Sequence, residues 1–125
     1  MKNLLVETIE FLNENKRGIE DVEWCGSETF GWFSFEDFVE IANVKYDPGF
    51  GGQEVAVDLK IVGKDFWLER HQYDGSEWWE YKEIPKKPEK YNKAQRVIYG
   101  CHWETLEEMH QPGGEYGVQD EKLSV

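Results

Sequence analysis

The sequence predicts an α+β fold in which an antiparallel sheet of four to five strands is flanked by two to three helices. Residues 55–62 alternate with a period of two, which is the pattern of a strand with one buried face. Residues 3–16 and 35–43 instead carry helical spacing behind capping residues. The 125 residues include 7 Phe, 6 Trp and 6 Tyr, whose large side chains supply the apolar area of a core.

Each predicted helix begins after a residue that can cap it. Asn3 precedes a first helix that extends to about Lys16. Ser34 precedes a second helix over residues 35–43. A side-chain oxygen at either position can accept a hydrogen bond from the first helical turn, so both segments are predicted as helices.

Two short strands are predicted before the second helix. Residues 19–25 form one of them, with Trp24 facing the core. Residues 29–33 form the other, an aromatic strand interrupted by a glycine that indicates a bulge or a close approach of another chain segment. Together with the strands of residues 55–84 they complete the sheet.

Residues 55–84 are predicted to form a three-stranded antiparallel meander. The pairs Gly63-Lys64 and Asp74-Gly75 supply its two tight turns, because such pairs tolerate a positive φ. A three-residue turn at 74–76 is the alternative, and it would exchange the inward and outward faces of the last strand.

Pairing through two-residue turns aligns three acids in one row across the meander, beside two tryptophans and a histidine. Like charges directly opposite each other destabilise a sheet, so such a row favours a binding surface. Exposed aromatic side chains among charges are typical of protein interfaces. The alternative is an ordinary surface on which Lys60 and Lys82 neutralise the row from diagonal positions. The predicted partner-binding residues are Asp58, Trp67, Glu69, His71, Trp78 and Glu80.

The chain is strongly acidic, with a formal net charge of −12 at pH 7. Residues 1–84 hold 19 acidic and 8 basic side chains, whereas residues 85–96 have a net charge of +4. An acidic body repels nucleic acid and anionic membranes and is steered toward basic surfaces. We therefore predict a partner protein with a basic surface, and no direct nucleic-acid or membrane partner. Solubility alone is the other explanation of the charge.

The sequence carries no recognisable motif for catalysis, metal binding or cofactor binding. Residues 49–52 are rich in glycine but lack the preceding strand, following helix and lysine of a phosphate-binding loop. His102 and His110 do not have the spacing of a zinc motif, and Cys25 and Cys101 form no CxxC pair. We predict no catalytic residues, no metal site and no cofactor.

A cytoplasmic location is predicted from the N-terminus and the cysteines. Residues 1–16 place acids within their apolar part and lack the small-residue cleavage site of a signal peptide. No apolar stretch is long enough for a membrane span. Free thiols fit a reducing compartment.

One α+β domain is predicted over residues 1–110, with residues 111–125 as a frayed or disordered tail. The basic segment PKKPEK at residues 85–90 is a proline-punctuated linker after the meander. A short helix is predicted within residues 103–110.

The segment YDPGFGGQEVAVDLKIVGKDFWLERHQYDGSEWWEY resembles small uncharacterised accessory proteins of bacteriophages and prophages. The resemblance covers residues 24–85, and its most specific pieces are GGQE at 51–54 and DGSEWWEY at 74–81. It implies a mobile-element accessory protein in the cytosol of a bacterial host, and it carries over no functional residues. Small acidic phage proteins of this kind are similar in size and charge to anti-CRISPR and antirestriction inhibitors, which bind defence proteins at basic nucleic-acid sites.

The expected function is to bind and inhibit a nucleic-acid-handling bacterial defence protein through an acidic, aromatic sheet face. One alternative is a small enzyme or binder that acts on a nucleotide or another host metabolite, with His71, His102 and the carboxylates as its functional groups. A second alternative is an immunity-type protein that neutralises a nuclease toxin.

Overall fold

The computed structural model describes residues 1–49, 51–98 and 103–111. Contacts between Cα atoms group the chain into two units, Met1–Pro85 and Lys86–Val125. The predicted domain end at residue 110 stays a prediction, and residues 112–125 of the predicted tail lie outside the described residues.

The first unit is an α+β fold, as predicted, and its described residues form two helices, two sheets and a 3₁₀ turn at Ile19–Asp21. In chain order the elements are β1 Lys2–Asn3, α1 Leu4–Glu14, β2 Val22–Ser27, β3 Gly31–Phe33, α2 Phe35–Ala42, β4 Lys45–Tyr46, β5 Lys60–Gly63, β6 Phe66–Tyr73 and β7 Ser76–Glu83. Five of the strands form one antiparallel sheet in the order β3-β2-β5-β6-β7, and β1 pairs with β4 in a separate ladder.

Both predicted helix caps are present. The Asn3 side chain accepts a 3.0 Å hydrogen bond from the Val6 amide, and Ser34 Oγ accepts one of 3.0 Å from the Asp37 amide. Helix α1 ends two residues before the predicted Lys16, which has a φ of 60° and so lies outside the right-handed helical region. The capping residues therefore predicted the first residue of each helix more accurately than the sequence predicted the last one.

The turn between β6 and β7 has two residues, Asp74 and Gly75. Tyr73 pairs with Ser76 across it, and the two turn residues have φ values of 50° and 83°. Positive φ at both positions is typical of the type I′ turn that suits the twist of a hairpin. This confirms the predicted two-residue turn, so the alternative turn of three residues is wrong.

The prediction that the first strand of the meander begins at residue 55 is wrong, because β5 begins at Lys60. The amides of Glu54 and Val55 donate instead to the Glu77 carboxylate, at 2.7 and 3.2 Å. The Leu59 amide then bonds to the Ala56 carbonyl at 3.2 Å and closes a turn. A buried carboxylate thus takes the hydrogen bonds that a neighbouring strand would otherwise have supplied.

Strand β2 differs from its prediction both in its bounds and in the side of the sheet that Trp24 faces. Residues 19–21 form a 3₁₀ turn, and the strand begins at Val22. The ladder to β5 is irregular between Val22 and Trp24, and beyond that irregularity Trp24 pairs with Val62 on the outward side. The prediction that Trp24 faces the core is wrong, because an extra residue in a strand shifts the inward and outward alternation by one.

The core lies between the helices and one face of the large sheet, the inner face. Its buried side chains from the sheet include Cys25, Ile61, Phe66, Leu68 and Trp79, and those from the helices include Leu4, Leu12, Phe38 and Ala42. Trp79 Nε1 donates a 2.9 Å hydrogen bond to Thr8 Oγ1, which joins β7 to α1. Both helices of the first unit therefore belong to the inner side of the sheet.

The described residues of the second unit include a short helix, α3, at Leu106–Met109. Thr105 and Glu108 form a reciprocal capping box, in which each side chain accepts from the other residue's amide at 3.2 Å. The predicted helix within residues 103–110 is therefore present. Among the described residues, no helix has the length and apolar character needed to cross a bilayer.

Candidate protein-binding face

The outward side of the large sheet, which we call the outer face, carries aromatic and charged side chains from all its strands. Among these side chains Trp32 is 72% exposed, and every other residue named in this paragraph is partly buried. Because alternate side chains of a strand share a side of the sheet, these residues form one surface. They are Trp24, Trp32, Lys60, Val62, Trp67, Glu69, His71, Trp78, Glu80 and Lys82.

The structure brings most of the predicted binding residues together on β6 and β7. Trp67, Glu69 and His71 are neighbours along β6, and Trp78 and Glu80 are neighbours along β7. Glu69 stands directly opposite Glu80, and His71 stands opposite Trp78, as the two-residue turn predicts.

Asp58 does not join them, which corrects the predicted row of acids. It is exposed in the turn before β5, and Lys60 stands opposite Glu69 in its place. The reason is that β5 continues through Gly63 and the tight turn is Lys64-Asp65. A register change of two residues keeps the same side chains outward but exchanges an acid for a base at this position.

Two side chains on β6 bind the Glu69 carboxylate. Trp67 Nε1 donates to Oε1 at 2.6 Å, and His71 Nε2 lies 2.7 Å from Oε2. The same His71 nitrogen lies 3.7 Å from Oε1 of Glu80. The His71 ring therefore lies between the two opposed carboxylates, within hydrogen-bond distance of Glu69.

Strand β7 repeats the arrangement in the opposite direction. Trp78 Nε1 donates to Glu80 Oε2 at 3.1 Å, and Lys82 Nζ lies 3.5 Å from Glu80 Oε1. Each strand thus places a tryptophan, a glutamate and a base in that order on the outer face. Because the strands are antiparallel, each tryptophan stands opposite the base of the other strand. We call this set the Trp–Glu cluster: Trp67, Glu69, His71, Trp78, Glu80 and Lys82.

Hydrogen bonds within the cluster favour the ionised form of both carboxylates. The bond from Trp67, followed by that from His71, lowers the pKa of Glu69 below its ordinary value. The bond from Trp78 lowers the pKa of Glu80 in the same way. A carboxyl group that serves as a general acid near neutral pH needs a raised pKa, so the cluster is suited to binding a cation rather than to donating a proton.

The outer face is charge-balanced rather than acidic. Glu69 and Glu80 share the strands β5, β6 and β7 with Lys60 and Lys82, and Lys60 stands directly opposite Glu69 rather than at the predicted diagonal position. The acidic surplus of the first unit is instead carried partly by exposed residues of the helices, namely Glu10, Glu14, Glu36, Asp37 and Glu40.

A second feature of the outer face was not predicted from the sequence. Trp24 and Trp32 line a solvent-open hollow of about 600 Å³ together with Glu23, Ser27 and Gly31, and we call it the tryptophan hollow. The irregular pairing at Glu23 turns Trp24 outward, and no sequence pattern indicates that irregularity. The alternation within Gly31–Phe33 could have indicated part of the hollow, because it sets Trp32 and Phe33 on opposite sides of the sheet.

Of the two histidines in the enzyme alternative, His71 lies on β6 and His102 lies outside the described residues. Across residues 1–49, 51–98 and 103–111, no three His, Cys, Asp or Glu side chains come close enough to hold a metal ion.

Comparison of the chain with protein-family models, with curated protein sequences and with solved structures returned no match.

Proposed function

We propose that this protein is a phage-type accessory protein that binds and inhibits a bacterial defence protein through the Trp–Glu cluster. The observation that carries the proposal is the pair of tryptophans whose indole N–H groups are each bonded to a glutamate two residues along the same strand. Such side chains present rigid aromatic surface, and little conformational entropy is lost when a partner packs on them.

The composition of the cluster supports protein binding. Tryptophan is among the residues that contribute most to the affinity of protein interfaces. The glutamates and bases between Trp67 and Trp78 supply directional contacts that fix orientation.

The carboxylates of the cluster retain capacity for a cationic partner. A carboxylate offers about four lone-pair positions, and the bonds within the cluster use only some of them. Glu69 and Glu80 are held ionised by their indole donors, so an arginine of the partner can add a charge-assisted hydrogen bond to either one.

The net charge of −12 supports a partner with a basic surface. Long-range attraction to such a surface raises the association rate, although the outer face itself is balanced in charge. A nucleic-acid-handling defence protein of the host cytosol has a surface of this kind, and the resemblance to small phage proteins supports that context.

The test is capture of partners from bacterial lysate by the tagged protein, with identification by mass spectrometry. Wild type is compared with W67A/W78A and with F30A. Phe30 is 81% exposed and packs edge-on against Phe33, off the outer face, so F30A is a matched aromatic control. Capture is repeated at about 0.1 M and about 1 M salt, where the screening length falls from about 10 Å to about 3 Å.

The expected result is a nucleic-acid-handling defence protein captured by wild type and F30A, lost in W67A/W78A and weakened at high salt. A nuclease toxin captured with the same dependence would establish the immunity-type alternative. Capture that survives W67A/W78A would rule out the Trp–Glu cluster as the binding surface.

A further inference from the structure

We propose that the tryptophan hollow binds an organic cation of the quaternary ammonium class. This site is separate from the Trp–Glu cluster, and nothing in the proposed inhibition of a defence protein requires it. The hollow is lined by two indoles and one carboxylate, with a serine and a glycine as its small residues.

The backbone of β2 and β3 creates the open space between the indoles. Trp32 pairs with Gly26, and Trp24 lies two residues from Gly26 on the same strand, so the tryptophans are diagonal neighbours. Diagonal positions of an antiparallel pair are about 7–8 Å apart, which lets two aromatic side chains contact one group between them.

Glycine is required at the position between them. Gly26 has a φ of 137°, and a Cβ there would lie 2.0 Å from the carbonyl oxygen of Gly31. Any side chain at this point would disrupt the pairing of β2 with β3. Gly31 lines the hollow itself, and a Cβ there would have no neighbour within 4 Å, so the absence of a side chain leaves this part of the hollow open.

The lining has the chemistry that binds a weakly hydrated cation. The face of an indole attracts a cation through its quadrupole, and tryptophan is the strongest of the aromatic side chains in this respect. Glu23 adds a formal negative charge, and the described lining includes no basic residue. An acidic body further raises the local concentration of cations.

A quaternary ammonium fits this lining better than a primary one. A lysine-type ammonium has three N–H donors that need acceptors when water is removed. The hollow offers the carboxylate of Glu23 among mainly aromatic surface, and the Ser27 hydroxyl already accepts a 3.0 Å hydrogen bond from the Phe30 amide. A quaternary ammonium has no N–H donor, so the two indoles can contact it without leaving a donor unpaired.

The test measures binding of choline by intrinsic tryptophan fluorescence and by isothermal titration calorimetry. The control ligand is 3,3-dimethyl-1-butanol, which has the shape of choline without its charge. The variants are W32A, E23Q and, as a tryptophan control, W103A, which removes the fully exposed Trp103 of the second unit. Trp32 is 72% exposed, so W32A is expected to fold, and circular dichroism checks this.

We expect saturable choline binding to wild type and W103A. This binding is expected to be weakened about tenfold in W32A, which corresponds to the loss of one cation–π contact. E23Q is expected to weaken it several-fold, and the neutral analogue is expected to bind at least about tenfold more weakly than choline.

Three results would overturn the proposal: no saturable binding of choline, equal binding of choline and its neutral analogue, or unchanged binding in W32A. Methyl glucoside is included as a further probe, and its preferential binding would identify a saccharide site instead.

Discussion

Arg70 donates a 2.8 Å hydrogen bond from Nη2 to Oε1 of Glu77, and the two side chains are 0% and 2% exposed. The Arg70 guanidinium also donates to the Tyr46 hydroxyl at 3.1 Å and lies 4.7 Å from the centre of the Trp79 ring. Because Glu77 accepts the amides at residues 54 and 55 as well, this ion pair joins the β6–β7 hairpin to the loop before β5.

Replacement of Arg70 by methionine is expected to destabilise the fold by about 3–5 kcal/mol, because it leaves the Glu77 carboxylate buried without its countercharge. Urea unfolding followed by circular dichroism gives the free energy. The matched control is R17M, since the Arg17 side chain is 24% exposed and its ion pairs are with the partly exposed Asp65 and Glu83. Equal losses in R70M and R17M would show that the buried pair has no special role.

We expect the carboxylates of the Trp–Glu cluster to make the free energy of unfolding depend on pH in the acidic range. The pKa values of Glu69 and Glu80 are lower in the folded state than their ordinary value of 4.5. The unfolded chain therefore binds protons first as the pH falls, so the stabilisation is complete above pH 4.5 and is lost as the pH falls through the folded pKa values.

The measurement is the free energy of unfolding of wild type and of E69Q/E80Q between neutral pH and about pH 3. The double variant is expected to lose less stability over this interval than wild type. E10Q, which changes an exposed glutamate of α1, serves as the control and is expected to behave as wild type. An identical acid dependence in wild type and E69Q/E80Q would contradict the prediction.

Cys25 is expected to be nearly inert in the folded protein. Its side chain is fully buried, and burial raises the pKa of the thiol to about 12. In a C101S variant at pH 8, reaction with a disulfide reagent is expected to be at least about 100-fold slower than that of the urea-unfolded protein, because the thiolate is the reacting form. Fast reaction of the folded variant would show that Cys25 is accessible.

Gly75→Ala is expected to destabilise the fold by about 1–2 kcal/mol, because a residue with a Cβ is strained at positive φ. Gly75 has a φ of 83°, and an added Cβ would lie 3.2 Å from the Gly51 amide nitrogen. Thermal unfolding measures the loss. G49A is the control, since a Cβ at Gly49 would find its nearest neighbour at 3.8 Å, and a stability change equal to that of G75A would argue against the turn geometry.

Two glycines show how far local sequence chemistry extends. The pair Asp74-Gly75 is sufficient to specify its own turn, because these two residue types readily adopt the positive φ values that the turn requires. Gly63 was predicted as a turn residue for the same reason, yet it lies in β5, where a Cβ would be 2.0 Å from the Phe66 ring. A glycine needed for close packing and a glycine needed for a turn look the same in sequence.

The two candidate sites also differ in how far local sequence could predict them. The Trp–Glu cluster follows from one short hairpin, so alternation and turn length were enough to place Trp67, Glu69, Trp78 and Glu80 on one side. The tryptophan hollow depends on the irregular ladder between β2 and β5, whose strands are far apart in the chain, and no local pattern indicates it.

The sequence by itself determined the α+β class, the starts of both helices, the β6–β7 hairpin and the residues opposed across it, because caps, alternation and turn chemistry act between near neighbours. Only the tertiary structure decided that Lys60 rather than Asp58 faces Glu69, that Trp24 faces outward, and that Arg70 and Glu77 are buried together. These features depend on which distant segments pack against one another, since register, bulges and buried ion pairs are settled by the packing of the whole sheet and core.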